Sequence, residues 1–311
     1  MDNKLRKIFI KEYNLPISVA ESPYFEESLE LFEKDFMAKT KYDRFVSMIE
    51  DRFHGNDNAF MEYRNTLLNK MIESIESSED YQEFNKGKFP YSDEKHIVGN
   101  VEIYTKEQSD NLFISYDMNK ANFQALKYVN ANIVNNSKSY DEFISQFTDI
   151  ECFKEQDYFR QIAFGKLNPK RIISVQKHIC NNFARRLEDF FGGKFSVFSI
   201  KNDEVILKYN GNSESVFNDT QLTNEHDYDG VTFKVNKFKL EHIDFKRANT
   251  GKVVTAFIKR YPNGNKTYHS IPLNYFKQVY KLINGIPLCE NDMVFYYEHD
   301  LVKFINPLER I

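Results

Sequence analysis

The sequence predicts an α+β protein, helical at first and rich in antiparallel strands later. Three observations carry this. Before residue 99 apolar residues recur at helical spacing. Between Leu112 and Lys127 an apolar strand pattern passes directly into a helical one. After Gly192-Gly193, alternating stretches return, separated by turn residues.

The elements follow in order. Glu26 to Met37 and Tyr42 to Phe53 place Leu29, Phe32 and Phe36, then Phe45, Met48 and Ile49, on one helical face each. Ser22-Pro23 reads as an N-cap with proline at the first helical position. His54, beside Gly55, reads as a C-cap, and Phe60 to Ser77 as a third helix. Asn85 to Ser92 is a turn-rich connector, and Ile97 to Thr105 reads as a strand. Leu112 to Tyr116 is a second strand, followed by a helix with Ala121, Ala125 and Leu126 on one side. Helices are expected over Ser139 to Phe147 and Asp157 to Phe164. After Pro169 a longer one runs from Arg171 to Phe191. Lys194 to Tyr209 reads as a hairpin about Lys201-Asn-Asp-Glu204. Thr232 to Ile243 alternates, and Lys252 to Arg260 with Thr267 to Ile271 flank the turn Tyr261-Pro-Asn-Gly-Asn265. A helix over Leu273 to Ile283 and a hairpin of Met293 to Tyr297 with Leu301 to Ile305 complete the chain.

Composition narrows the function classes. With 311 residues, 41% hydrophobic and 28% charged, the chain can bury an ample core. Tryptophan is absent, so 29 Phe and 19 Tyr must supply the aromatic packing. The wealth of Asn, Lys, Ile, Phe and Tyr suggests an AT-rich coding source such as a virus or phage. Cys152, Cys180 and Cys289 are far apart and form no C-x-x-C, which argues against a zinc ribbon or disulfide scaffold. With a polar N-terminus and no long apolar run, no signal core or membrane span is expected, and the expected location is the cytoplasm. The net charge of −4 does not advertise nucleic-acid binding, but its distribution is uneven. Tyr158 to Arg186 carries Arg160, Lys166, Lys170, Arg171, Lys177, Arg185 and Arg186 and no acidic residue. That block is a phosphate-binding surface or a solvated helix face.

Asp117 stands where strand gives way to helix. It is either an N-cap or a ligand for a metal or phosphate group. Asp203-Glu204 lies at the hairpin tip, where a turn needs only one such carboxylate. Two carboxylates on neighbouring strand ends can hold divalent cations, Mg²⁺ or Mn²⁺ by the hardness of oxygen ligands. A basic helix facing them can take a triphosphate. Arg160 and Phe164, four residues apart, share a helix face and could meet phosphate and base together; Phe164 could equally be core.

Three segments resemble a family. Asp117-Met-Asn-Lys-Ala-Asn-Phe-Gln-Ala-Leu126 is similar to the first palm motif of family A DNA polymerases, Asp-Tyr-Ser-Gln-Ile-Glu-Leu-Arg. Arg160-Gln-Ile-Ala-Phe-Gly165 resembles their fingers-helix motif, and Asn202-Asp-Glu-Val-Ile-Leu207 their His-Asp-Glu motif, in the family's order. Single-subunit phage RNA polymerases share this palm plan. The resemblance implies a palm, an antiparallel sheet with helices on one face, over 100–152 and 194–311, the latter with a strand-rich extension. Reduced fingers would occupy 153–193, and a helical region in the thumb's place 1–99. It implies Asp117 and Asp203 as metal ligands and Glu204 as an auxiliary carboxylate. Arg160, Phe164, Lys166 and Asn122 would border the nucleotide, and Lys170, Arg171 and Lys177 the nucleic acid. Asn122 replaces the family's Glu, a position bearing on ribose selection; Asn202 replaces its His, and Asn168 its fingers Tyr.

The leading expectation is a template-dependent nucleotidyltransferase working on primer-template and nucleoside triphosphates. The alternative is a non-catalytic nucleic-acid-binding or assembly protein derived from such a palm, and a third is a structural α+β protein.

Overall fold

The computed structural model describes residues 3–91, 98–211, 213–220, 222–247, 250–298 and 300–311. The chain is α+β, and its sheet pairings are antiparallel. Among the described residues helices come first: α1 (Asn3–Glu12), α2 (Tyr24–Leu31), α3 (Glu33–Phe36), α4 (Ala38–Phe53), α5 (Asp57–Glu76) and α6 (Glu79–Lys86). Then follow β1 (Leu112–Met118), α7 (Ala121–Val129), α8 (Tyr140–Ser145), α9 (Cys152–Glu155), α10 (Asp157–Gly165) and α11 (Pro169–Phe191). The hairpin β2 (Phe195–Ile200) and β3 (Glu204–Tyr209) precedes α12 (Glu214–Asn218), β4 (Glu225–Tyr228) and the long β5 (Val231–Arg247). Last come β6 (Val253–Arg260), β7 (Lys266–His269), α13 (Leu273–Ile283), β8 (Val294–Tyr297), β9 (Asp300–Lys303) and β10 (Leu308–Arg310).

The chain divides into two compact units. One joins 1–61 to 240–311, and the other is the continuous segment 62–239. These boundaries differ from the expected ones at 99, 152 and 193. α5 and β5 each contain residues of both units, so neither border coincides with a loop that composition could reveal.

In the unit of 62–239 the strand order is β2-β3-β1-β5, with β4 on the other edge of β5. Alternation along β1 puts Ile114, Tyr116 and Met118 on one face and Phe113, Ser115 and Asp117 on the other. α11 covers the Tyr116 face. It buries Ile172, Val175, Gln176, Ile179, Cys180, Phe183, Ala184 and Leu187, an apolar stripe at helical spacing. Phe183 is its anchor, stacked 4.5 Å from Phe233 and edge-on to Tyr116 at 5.2 Å. The helix starts where Asn168 accepts from the Arg171 N–H with Pro169 at its first turn, and stops at left-handed Gly192.

In the other unit, Phe9, Phe25, Tyr42, Phe45 and Phe60 form an aromatic core among the first helices. Phe245, Val254, Ala256, Tyr275, Val279 and Leu308 pack a second cluster. Fully buried Asp292 binds Lys281 at 2.7 Å and Lys277 at 3.3 Å and accepts from the Cys289 N–H. Burial pushes its carboxyl up, but these donors outweigh that and hold it below the ordinary value.

Several expectations need correction. Pro23 stands at the N-cap of α2, and the Ser22 hydroxyl bonds Glu26 rather than the helix backbone. His54 does cap α4, in the left-handed region. The stretch 98–105 forms no strand, and Ile97 lies outside the described residues, as does Ser92 of the expected connector. Ile103 is an isolated core anchor, and the Val101 N–H donates to the Ser199 hydroxyl at 3.0 Å instead of to a neighbouring strand. Asp117 is not an N-cap. Strand pairing continues through it on both sides, and Lys120 occupies the capping position of α7.

Candidate functional site

The site is built on one row of the sheet. Asp117 of β1 lies opposite Glu204 of β3 on one side and Lys234 of β5 on the other, and Lys234 lies opposite Glu225 of β4. Directly opposed residues of antiparallel strands share a face, with Cβ atoms about 4.5–5.5 Å apart. One face therefore carries Glu204, Asp117, Lys234 and Glu225 side by side, and Lys201 approaches Glu204 to 3.6 Å. Asp117, Lys234 and Glu225 are exposed, and Glu204 is half-buried.

Asp203 sits in the turn before β3, where its carbonyl accepts from the Met118 N–H at 2.8 Å. The resemblance implies that Asp117 and Asp203 act together, whereas the register puts Glu204 directly opposite Asp117. Asp203 stays in the same neighbourhood. Burial raises its carboxyl above the ordinary aspartate value, and the charge of Glu204 raises it further against the opposing pull of Lys201. The buried Cys180 thiol on α11 feels all three acids. Burial pushes it well up, with the charges of Asp203, Asp117 and Glu204 adding to the effect.

Cations gather on the segments that follow β1. Lys120 follows Asp117 by three residues, in the left-handed region between β1 and α7. Its ammonium lies 3.5 Å from Asp157 and over the Tyr140 ring. Arg160 approaches Asp157 to 2.7 Å, in a geometry that leaves its Nη1 without a hydrogen bond, and lies over the same ring. Burial lowers the Lys120 ammonium, and the Arg160 and Lys234 charges lower it further, against Asp157 and Asp141. Lys120 and Arg160 thus share a partly buried place, with half-exposed Asp157 between them, while exposed Lys234 stands across from Asp117 and Glu225. An anion beside Lys120 and Arg160 would relieve their repulsion.

The other expected residues are distributed differently. Asn122 accepts from Gln176 of α11 at 2.9 Å, which fixes α7 against that helix. Phe164 is buried at 1% exposure beside Tyr140, a core position rather than a nucleotide-facing one. Arg171 donates to the carbonyls of Phe84 and Gly87 and covers Phe89, so it is a tie between segments, not a free phosphate contact. Lys166 and Lys170 are exposed and Lys177 is half-buried. Sequence reasoning missed Lys120, Asp157 and Tyr140. Lys120 lay within the quoted motif, but its convergence with Arg160 depends on the path of α8 and α10.

Among the described residues, no group of three or more His, Cys, Asp or Glu is disposed to hold a metal ion. The Asp117–Glu204 pair fits a more open site. Mg²⁺ is commonly held by one or two carboxylates, with waters and substrate phosphates completing its shell. The three cysteines form no disulfide, and no helix is long and apolar enough to cross a membrane among the described residues. No protein-family model, curated protein or solved structure matches the chain.

Proposed function

We propose that the chain is a nucleotidyltransferase with a polymerase-like palm, acting on a primer-template and nucleoside triphosphates in a reducing cytoplasm, the host's if the source is viral or phage. The observation that carries this reading is the row Glu204–Asp117–Lys234 across the sheet, with Lys120 and Arg160 converging on the segments after β1 and Lys120 feeling the Lys234 charge. Acids for a hard cation next to bases for a polyphosphate are what phosphoryl transfer requires, since its catalysis is mainly positioning and charge neutralisation.

Asp117 and Glu204 would hold Mg²⁺ or Mn²⁺, with Asp203 in the turn just before Glu204. When bound, the ion lowers the pKa of an attacking hydroxyl and neutralises charge on the leaving group. Lys120 and Arg160 orient the triphosphate, Arg160 exchanging Asp157 for a phosphate oxygen. Asn122, through Gln176, sets the position of α7 beneath the nucleotide.

A non-catalytic nucleic-acid-binding protein is the second reading. Buried Phe164 and tied Arg171, each withdrawn from its expected role, favour it. Primer extension with labelled dNTPs and rNTPs, on DNA and RNA templates with Mg²⁺ or Mn²⁺, separates the two. The expected result is metal-dependent incorporation, abolished in Asp117→Ala. Binding without incorporation under any metal would transfer the assignment to the second reading, and full activity in Asp117→Ala would refute the first.

A further inference from the structure

On the face of the sheet opposite Asp117, the unit of 62–239 holds a cavity of about 560 Å³ between the C-terminal half of α11 and β4. This is within the size range of small-molecule sites. Its lining is aromatic and ordered. Phe183 and His226 stack at 5.2 Å and 26°, and Tyr116 stands edge-on to both. At the rim Phe190 is 77% exposed.

The polar groups differ in kind. Tyr116 is 2% exposed, and its hydroxyl makes no hydrogen bond with any described residue. Burial pushes its phenol up to about 12, so it stays a neutral O–H at neutral pH. The Tyr116 hydroxyl is not a buried, unpartnered atom, so it keeps access to the cavity that the residue lines and is open to a ligand there. Arg186 lies 5.0 Å over the Tyr228 ring and makes no ion pair among the described residues. Asp227 and Asp229 supply acceptors on the same rim.

Each ligand class can be weighed against these walls. A bare phosphate meets Arg186 but also two carboxylates. A sugar offers no flat face to Phe190 and His226. A plain arene stacks but leaves the Tyr116 hydroxyl unpaired. A neutral, planar nitrogen heterocycle with ring acceptors and N–H donors meets every feature. We propose that this cavity binds a nucleobase, as carried by a nucleoside. The site is independent of the carboxylate row, because Tyr116 and Asp117 project to opposite faces of β1.

The test is calorimetric titration of the full chain with guanosine, adenosine, cytidine and uridine, with ribose and phenol as controls. At least one nucleoside is expected to bind with a Kd below about 1 mM, while ribose and phenol do not. Tyr116→Phe, which keeps the ring packing, should weaken binding about fivefold or more. Phe190→Ala, an exposed change, should weaken it by a similar factor or more. Melting curves of both variants check that the fold is retained. Absence of binding by all four nucleosides, equal binding of phenol, or unchanged affinity in both variants would overturn the proposal.

Discussion

Asp203 is the residue whose chemistry most directly reports the acidic row. Its carboxyl is raised by burial and by Glu204, so the folded chain holds its proton more tightly than the unfolded chain does. The stability this supplies is complete below the unfolded value of about 3.9 and is lost as pH rises through the higher folded value. At pH 7 the ionised group therefore costs stability. Asp203→Asn is expected to raise Tm at pH 7, with the gain vanishing near pH 3.5. Thermal melts of the two proteins across that range check it, and an unchanged Tm at pH 7 would contradict the crowding. Asp292 has the opposite sign. Its depressed carboxyl contributes stability above the unfolded value, lost as pH falls through the folded one. The two aspartates separate a group held down by cations from one raised by burial and a neighbouring acid.

At the scale of elements, the sheet of the 62–239 unit depends on α11. Phe183 touches β1, β4 and β5 through Tyr116, His226, Tyr228 and Phe233. Phe183→Ala should cost about 3–5 kcal/mol, measured by denaturant unfolding, because a helix pinned to a sheet cannot collapse into the space. α11 and the β2–β3 hairpin were legible in the sequence. Their apolar spacing is regular, and Pro169, Gly192 and the Lys201–Glu204 turn punctuate them. β4 was not legible, because Glu-His-Asp-Tyr has no alternation and is held by pairing with β5. The stretch near Val101 misled for the converse reason. Its apolar residues suggested a strand, yet its backbone bonds a distant serine hydroxyl. Asp117 and Glu204 could be named from sequence, but their direct opposition could not, since register depends on partners far along the chain. The cationic neighbours were half legible. Arg160 stood out in the basic block, whereas Lys120 gains meaning only where α10 brings Arg160 to the same tyrosine ring.

For the whole molecule, the excess of four negative charges makes any grip on nucleic acid local rather than general. In the proposed function the exposed Lys166 and Lys170 would supply it. Neutralising either should reduce the slope of log K against log salt by about 0.7–0.9, as one phosphate contact is lost. Filter-binding at several salt concentrations measures that slope. Arg171→Ala should instead lower Tm, because its partners are backbone carbonyls of the same unit. Both the acidic row and its cations lie within the continuous segment 62–239, so the proposed chemistry belongs to one compact unit. Its central claim is that Asp117 and Glu204 jointly hold a divalent cation beside bound nucleotide. The most direct test is a Mn²⁺ titration followed by electron paramagnetic resonance with a nucleoside triphosphate present. The wild-type chain should bind Mn²⁺, and Asp117→Asn and Glu204→Gln should each weaken binding by more than about tenfold. Equal Mn²⁺ affinity in all three proteins would contradict the account.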